Sequence, residues 1–388
     1  MADKDKSYMR MALKLARKGG GRPSYEPLVG AVAVKDGRVA GLGFAGDGTQ
    51  SAVISALDEA GSDASGAILY TNTAPCLDLD PLEAAEIDGT RDAGRCLERL
   101  IESRPARVVV GAPGSSEQAV PAGGAGSPGP AVIDRLRQAG VEVTTGVLEQ
   151  ECSELNEKYF KYARTGRPFV TVKFAQTIDG RIATATGNSQ WISGPASLRL
   201  AHQLRVEHDA IMVGIGTVLA DDPRLTVRLV NGRDPLRVVV DSRLRVPTAA
   251  RVLANGASRH TLVATTRRSA SARARELEAL GAEVLELPEA ARGGSGLNLS
   301  ELLAALGRRR IASVLVEGGA GIITSLLAAR QVDRMIIAVA PKIIGRGIEA
   351  VGDLGISRLT DAITFKSMKS RKLGPDVIFD GRIEYGDD

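Results

Sequence analysis

The feature that most constrains this chain is an alternation of helix-period and strand-period segments that runs along it and is interrupted at Thr165-Gly166-Arg167-Pro168. Before the interruption come an amphipathic stretch at 8–17, an apolar run at 29–34 closing on the turn Lys35-Asp36-Gly37-Arg38, and a second strand at 39–44. A helix-like stretch at 51–60, strands at 67–71 and 107–111, a helix at 131–139 and a strand at 141–144 follow. After the interruption, strands are expected at 169–175, 210–213, 236–240, 261–264, 283–287, 313–316 and 334–339. Helices at 195–208, 272–280, 300–308 and 322–330 separate several of them. Such alternation predicts an α/β fold, with a three-layer first domain and a second α/β sheet.

Glycine and proline together stop a helix. The helical segment 149–166, with Leu155, Tyr159, Phe160 and Ala163 on one side, therefore ends at a domain boundary. The expected organisation is a first domain over 1–148, a linker helix over 149–166 and a second domain over 167–388. A length of 388 residues exceeds one ordinary core and agrees with two. The tract 111–130, rich in Gly, Pro, Ser and Ala, reads as a mobile loop inside the first domain. No internal repeat relates the halves.

Charge excludes some partners. The 50 Lys and Arg residues are scattered among 46 Asp and Glu, for a formal charge of +4, so no nucleic-acid surface is expected. No run reaches the ~18 apolar residues of a membrane span, and the first residues carry no signal-like apolar core, so a cytoplasmic protein is expected. The three cysteines, Cys76, Cys96 and Cys152, are odd in number and lack a framework spacing. That pattern fits a reducing compartment, and disulfides are not expected.

The chemistry-bearing residues gather between Arg167 and Arg228. There lie Asp179-Gly180-Arg181, Gly187-Asn188-Ser189-Gln190-Trp191-Ile192-Ser193, Gly214-Ile215-Gly216-Thr217-Val218-Leu219-Ala220-Asp221-Asp222-Pro223 and Leu225-Thr226-Val227-Arg228. Farther on, the strand at 313–316 runs into Glu317-Gly318-Gly319-Ala320-Gly321 and then a helix, so backbone amides face a gap free of side chains. That arrangement suits a phosphate, although glycine-rich turns also serve packing alone. It fails the Rossmann fingerprint, because Thr324 stands where the third glycine belongs and no acid ends a strand about twenty residues later. Arg205 and Arg228 can grip a phosphate through charge-assisted bonds, or can be surface residues. Trp191 can pack on a nicotinamide or anchor a core. Asp221 can cap a following helix or act as a polar orienter or proton carrier. Glu317 can accept hydrogen bonds from a pyrimidine or ribose, or be solvated. His202 and His208 flank Arg205 and read as structural; His260 sits in a loop.

Together with Val240-Asp241-Ser242-Arg243 and Ala340-Pro341-Lys342, these motifs resemble the reductase half of the bifunctional deaminase-reductase family of riboflavin biosynthesis. The resemblance implies a dihydrofolate-reductase-like α/β domain that binds NADPH across the carboxyl edge of its sheet. By position it implies cofactor contacts at Ala175, Trp191, Thr217, Asp221, Ser242, Gly319, Ala320, Gly321, Ile322, Ile323, Thr324 and Ser325. It implies substrate contacts at Ser189, Arg205, Leu225, Arg228 and Glu317, with Asp221 and Glu317 as the catalytic candidates. The implied reaction is hydride transfer to the ribose C1′ of 5-amino-6-(5-phosphoribosylamino)uracil, with no metal. The expected partner is a small phosphorylated pyrimidine, with neither nucleic acid nor membrane, and a homodimer or homotetramer is expected.

In the first third, Pro27-Leu28-Val29-Gly30-Ala31-Val32 and Thr73-Ala74-Pro75-Cys76 resemble the family's deaminase half, which groups with the cytidine deaminases. A zinc deaminase needs a His-x-Glu element and two cysteines, the glutamate moving protons without ligating. Here the first element reads Ser51-Ala52-Val53, and all three histidines fall after residue 200. Glu26 and Ala74 depart from the family's asparagine and glutamate. Cys96 aligns with the second cysteine at a longer spacing, and two thiolates alone make a poor zinc site. Asp78, Asp80, Glu83, Glu86 and Asp88 read as a solvated loop. No zinc and no deaminase activity are expected. Three readings follow: a riboflavin-pathway reductase with a degenerate deaminase domain, a reductase of a related ribosylaminopyrimidine or pterin-like substrate in a side pathway, or a non-catalytic partner of an active deaminase-reductase. Intact Ser189, Arg205 and Arg228 favour a phosphorylated ribosylaminopyrimidine.

Overall fold

Strand β1 (Gly30–Lys35) is buried on both faces, which places it in the middle layer of three. Its period-two pattern sends Ala31 and Ala33 into a cluster with Ala52, Val53, Ala56 and Leu136. Val32 and Val34 point the other way, among Met9, Leu13, Tyr70 and Cys152. The computed structural model describes residues 2–21, 23–46, 50–77, 90–114, 129–254, 256–266, 272–290 and 296–386. Most of the loop expected at 111–130 and all of the acids Asp78, Asp80, Glu83, Glu86 and Asp88 lie outside the described residues. The chain forms two units, Met1–Gly166 and Arg167–Asp388.

In the first unit, β1 is joined by β2 (Arg38–Phe44), β3 (Ile68–Thr73), β4 (Arg107–Ala112) and β5 (Val143–Thr145) in the order β2-β1-β3-β4-β5. The β1 pairings with β2 and β3 are antiparallel; the others are parallel. Helices α1 (Ala2–Ala16) and α5 (Glu149–Leu155) contribute to one apolar layer, and α2 (Ala52–Ala60), α3 (Thr90–Glu102) and α4 (Gly129–Gln138) to the other. Helix α2 lies so close on β2 that a Cβ at Gly43 would stand 1.9 Å from the Ala52 carbonyl oxygen. A backbone carbonyl cannot swing aside as a side chain can.

The segment expected as a single linker helix is two helices, α5 and α6 (Glu157–Thr165), broken at Asn156. The Asn156 amide takes the place of a backbone pair: Oδ1 accepts from Leu28 N at 2.8 Å and Nδ2 donates to Leu28 O at 3.0 Å. Competition of this kind between an asparagine side chain and a helix is invisible to apolar periodicity. Cys152 of α5 is fully buried in the first unit's core, so the segment is packed structure and not a free connector. Helix α6 ends where the glycine signal placed it, with Gly166 at φ +63° and its N–H on Tyr162 O.

The expectation of no disulfide is corrected: Cys76 and Cys96 are joined. Count and spacing register only the sequence separation of 20, whereas the turn after β3 and helix α3 bring the two Cα atoms to 6.0 Å.

The second unit carries strands β6 (Phe169–Thr177), β7 (Arg181–Thr184), β8 (Ala210–Gly214), β9 (Leu236–Val240), β10 (Thr261–Thr266), β11 (Glu283–Leu287), β12 (Ser313–Val316), β13 (Arg334–Ala340), β14 (Gly347–Glu349), β15 (Thr364–Leu373) and β16 (Asp376–Glu384). Nine of them form one sheet in the order β11-β10-β9-β8-β12-β6-β13-β16-β15, while β14 pairs with β7. From β6 the chain steps outward through β8 to β11, then returns to set β12 in the gap between β8 and β6. All seven strands from β11 to β13 run parallel, and β16 and β15 close the edge antiparallel. Helices α10 (Leu299–Arg308) and α11 (Ala320–Ala328) cover one face; α7 (Pro195–Glu207), α8 (Ile215–Asp221) and α9 (Ala272–Ala279) cover the other. The β15–β16 hairpin and α8 lie where the sequence reading assigned no element. Leu373 pairs with Asp376 across Gly374-Pro375, and Gly374 at φ +62° gives the positive angle that a two-residue turn wants first. Among the described residues, no helix is long and apolar enough to cross a membrane.

Replacing Gly43 by alanine should lift α2 and destabilise the first unit by about 1–3 kcal/mol, the usual range for overpacking. Chemical denaturation checks this; an unchanged midpoint would show that α2 is not seated on β2.

Candidate active site

Four neighbouring parallel strands, β9, β8, β12 and β6, end on the same side, and a cleft of about 700 Å³ opens beyond their carboxyl ends. The order of strands reverses there, where open α/β sheets bind ligands. Its wall is built by Lys173, Phe174 and Ala175 of β6, Gly214 at the end of β8 with Ile215 to Thr217 behind it, Val240 at the end of β9 with Ser242 behind it, and Glu317 to Ile322 after β12. The segment from Gly187 to Ser193 supplies Ser189 and Trp191.

Eleven of the residues named from sequence line this cleft: Ala175, Ser189, Trp191, Thr217, Asp221, Ser242, Glu317, Gly319, Ala320, Gly321 and Ile322. Trp191 is 64% exposed, which removes the core-anchor reading. Asp221 is the last residue of α8, and no helix follows it, so it caps none; Ser189 Oγ donates to its Oδ1 at 3.3 Å. Helix α11 follows the N-cap residue Gly319, with no side chain capping its amides, and a Cβ on Gly321 would meet nothing within 4 Å. Free amides and open space at one helix start suit an anionic group.

The other six stand outside the cleft wall. Ile323 is fully buried core. The Thr324 hydroxyl donates to Ala320 O and accepts from Gly352 N, both at 2.7 Å, and Ser325 Oγ donates to Gly321 O at 2.8 Å. Leu225 is 3% exposed, with a left-handed φ of +55°. Arg228 is exposed and donates through Nη1 to Thr226 Oγ1 at 2.6 Å.

Arg205 is committed to the protein. Its Nε and Nη2 donate to the two Glu317 carboxylate oxygens at 2.9 and 2.7 Å, and Nη1 donates to Thr226 O at 2.9 Å. Both side chains are nearly buried, at 11% and 13% exposure. Burial alone would raise the Glu317 carboxyl, but the guanidinium bonded to it holds it below the ordinary carboxylate range. One turn earlier on α7, His202 Nδ1 accepts from Arg228 N at 2.9 Å. Arg205 and His202 thus fix the backbone from Thr226 to Arg228. Burial, with Arg205 and Arg228 beside it, pushes the His202 imidazole down to about 4 from its ordinary 6.5. His208 is structural too, held between Leu204 O at 2.7 Å and Thr171 Oγ1 at 2.9 Å. The start of α7 is tied down by Asp376 of β16, whose Oδ2 accepts from Gly194 N at 2.8 Å and Ser197 Oγ at 2.5 Å.

Sequence reasoning missed Lys173. It lines the cleft at 8% exposure, and burial pushes its ammonium below the ordinary value against the pull of Glu317. The signal was there: a lone lysine inside the apolar run of a central strand.

At the deaminase position of the first unit the described side chains are committed to the protein itself. Ser51 caps α2, Val53 is fully buried, and Cys76 and Cys96 are bonded to each other. Among the described residues, no group of three or more His, Cys, Asp or Glu side chains could hold a metal ion.

An α/β unit built on a nine-stranded sheet, with a cleft that carries polar residues at its parallel carboxyl edge, in one chain with an α/β unit built on a five-stranded sheet, defines a two-domain class of enzyme-like chain. Comparison with known proteins makes the class specific. The family model described as RibD C-terminal domain matches residues 168–379, and that of the cytidine and deoxycytidylate deaminase zinc-binding region matches residues 2–112. The chain is 38% identical to the riboflavin biosynthesis protein RibD of Aquifex aeolicus, covering 96% of this chain and 97% of that one. It is 34% identical to RibD of Escherichia coli, covering 96% and 98%. Among solved structures, Acinetobacter baumannii RibD matches with a TM-score of 0.79 at 30% identity, covering 99% and 100%. The Thermotoga maritima diaminohydroxyphosphoribosylaminopyrimidine deaminase/5-amino-6-(5-phosphoribosylamino)uracil reductase matches with 0.77 at 30%, covering 98% and 99%. The chain belongs to the RibD family of riboflavin biosynthesis proteins, with a cytidine-deaminase-like first domain and a RibD reductase domain after it. The residues at the deaminase position do not fit the zinc ion that the first domain's family description names.

Two outcomes are expected. Arg205→Met leaves a buried carboxylate unpaired and should destabilise the second unit by about 3–5 kcal/mol, while Arg205→Met with Glu317→Leu should restore most of that. Denaturation of both variants decides it, and equal losses would mean the pair is not coupled. His202 is neutral when folded and takes a proton more readily when unfolded. Stability should therefore be full above pH 6.5 and fall as the pH drops from about 6.5 to about 4. His202→Gln should flatten that part of the thermal-midpoint profile.

Proposed function

We propose that this chain is an NADPH-dependent 5-amino-6-(5-phosphoribosylamino)uracil reductase of riboflavin biosynthesis whose first domain no longer deaminates. The observation that carries the reading is the cleft itself. Uncapped amides at Gly319, Ala320 and Gly321 lie in one wall with two polar pairs, Ser189 with Asp221 and Lys173 beside Glu317. NADPH, when bound, supplies the hydride, and the chain supplies position and charge. The α11 amides and Thr217 would hold its phosphates, and Ser242 with the half-exposed Arg245 offers a hydroxyl and a guanidinium for the additional phosphate.

On the substrate side, Glu317 is kept ionised by Arg205 and can accept hydrogen bonds from ribose hydroxyls. The ribose ring oxygen needs a proton as its bond to C1′ opens. Lys173 binds its proton less tightly than an ordinary lysine and stands in the same cleft, which suits it to that transfer. Ser189 orients through Asp221, and Arg228, with its backbone fixed by His202, is the exposed cation for the phosphate. Loss of the deaminase reaction is supported by the replaced histidine and glutamate positions, Ser51 and Val53, since neither side chain can ligate zinc strongly or carry a proton.

The test follows NADPH absorbance with the deaminated ribosylaminouracil phosphate and, separately, with its undeaminated precursor. Oxidation with the first, and neither oxidation nor ammonia release with the second, is expected. No oxidation with either overturns the assignment, and turnover of the precursor alone reverses the order of steps. Asp221→Asn and Lys173→Met should each lower kcat/KM on the order of a hundredfold, and Ser189→Ala and Arg228→Ala should lower it as well. Cys76→Ser should leave it unchanged.

A further inference from the structure

The two cysteines at the deaminase position do not face an open site. Each is 3% exposed, and around them pack Val29, Ala31, Val53, Ala56, Val108 and Val110. Ser51, where the family has its histidine, uses its hydroxyl to accept from Val53 N at 3.3 Å, and the same oxygen lies 3.5 Å from Cys96 Sγ. A zinc ion held by thiolates needs four ligands or three and a water, and only two sulfurs are present. Without a metal, two thiols in an apolar core would stay protonated and would crosslink nothing. A cystine is neutral and needs no further ligand. Cys76 also sits at φ +64°, a left-handed angle that a residue with a Cβ keeps only where its surroundings fix it.

We propose that in this chain the Cys76–Cys96 disulfide has replaced zinc as the crosslink that holds the turn after β3 to helix α3, so that the first unit depends on thiol oxidation and not on metal. The oxidant is a small-molecule disulfide of the glutathione type. While the first unit is still folding and its sulfurs are open to solvent, one cysteine thiolate attacks it, forms a mixed disulfide and releases one small thiol. The other cysteine thiolate then attacks the protein sulfur of that mixed disulfide, closes the bond and releases the second small thiol. Two cysteine thiols give up two electrons and two protons, and one small disulfide becomes two small thiols. Cys152 stays out of the exchange: it is fully buried in the opposite layer, a Cβ on Gly111 would come within 2.3 Å of its sulfur, and burial pushes its thiol up to about 12. Since the crosslink closes a separation of 20 residues, it removes freedom from the unfolded chain.

The direct test is a thiol count. Cells producing the full chain are lysed into denaturant containing N-ethylmaleimide, so that free thiols are capped before they can oxidise, and the intact chain is weighed. One cap, on Cys152, and a crosslinked peptide joining Cys76 to Cys96 are expected; three caps overturn the proposal. In the purified protein, reduction should lower the first unit's thermal midpoint by on the order of 5–10 °C, and added zinc should not restore it. An unchanged midpoint overturns the structural role, and so does stoichiometric zinc uptake that restores the midpoint. NADPH oxidation by the same samples reads the second unit alone, which separates failure of this proposal from failure of the reductase assignment.

Discussion

The reductase unit turns on one buried ion pair. Arg205 projects from α7 and Glu317 from the end of β12, so their bidentate bond ties a helix on one face of the sheet to the rim of the cleft. Neither charge tolerates its place without the other. From that bond the neighbouring geometry follows: the third guanidinium contact fixes Thr226, His202 one turn away fixes Arg228, and the lowered affinity of Lys173 for its proton is set against the same carboxylate. Residues that read from sequence as independent ligands form one connected structure.

The two units differ in what their described residues place beside the sheet. In the second, glycines remain where backbone must lie open, and polar pairs line the cleft. In the first, α2 lies close on β2, and small apolar residues pack around a disulfide. Packing constraints and chemical constraints are separable: β1 needs alternating small apolar residues whether or not anything reacts above it.

Much of this was legible in the sequence because the central strands are continuous apolar runs and helices such as α2 and α6 stop at a glycine. Phe169 to Val172 and Ser313 to Val316 have nowhere to go but the inside of a parallel sheet. The β15–β16 hairpin was not legible, since Lys366, Lys369, Arg371 and Lys372 lie in a largely exposed edge strand with no apolar face to count. Of the site, the cleft lining was readable by motif, whereas the commitment of Arg205 to Glu317 was not, because a pairing between residues far apart in sequence leaves no local trace. Lys173 and the Cys76–Cys96 bond were missed for the opposite reasons: one is a charge that apolar counting passes over, the other a proximity that only the fold creates.

The position of β6 in its sheet bears on the order in which the chain can assemble. It is the first strand of its unit, yet its two neighbours, β12 and β13, come from far later in the sequence. As the polypeptide leaves the ribosome, β8 to β11 can pair among themselves while this apolar strand has both edges free. Throughout that interval it is the segment most exposed to pairing with a neighbouring nascent chain, and a chaperone that recognises extended apolar backbone would find it first.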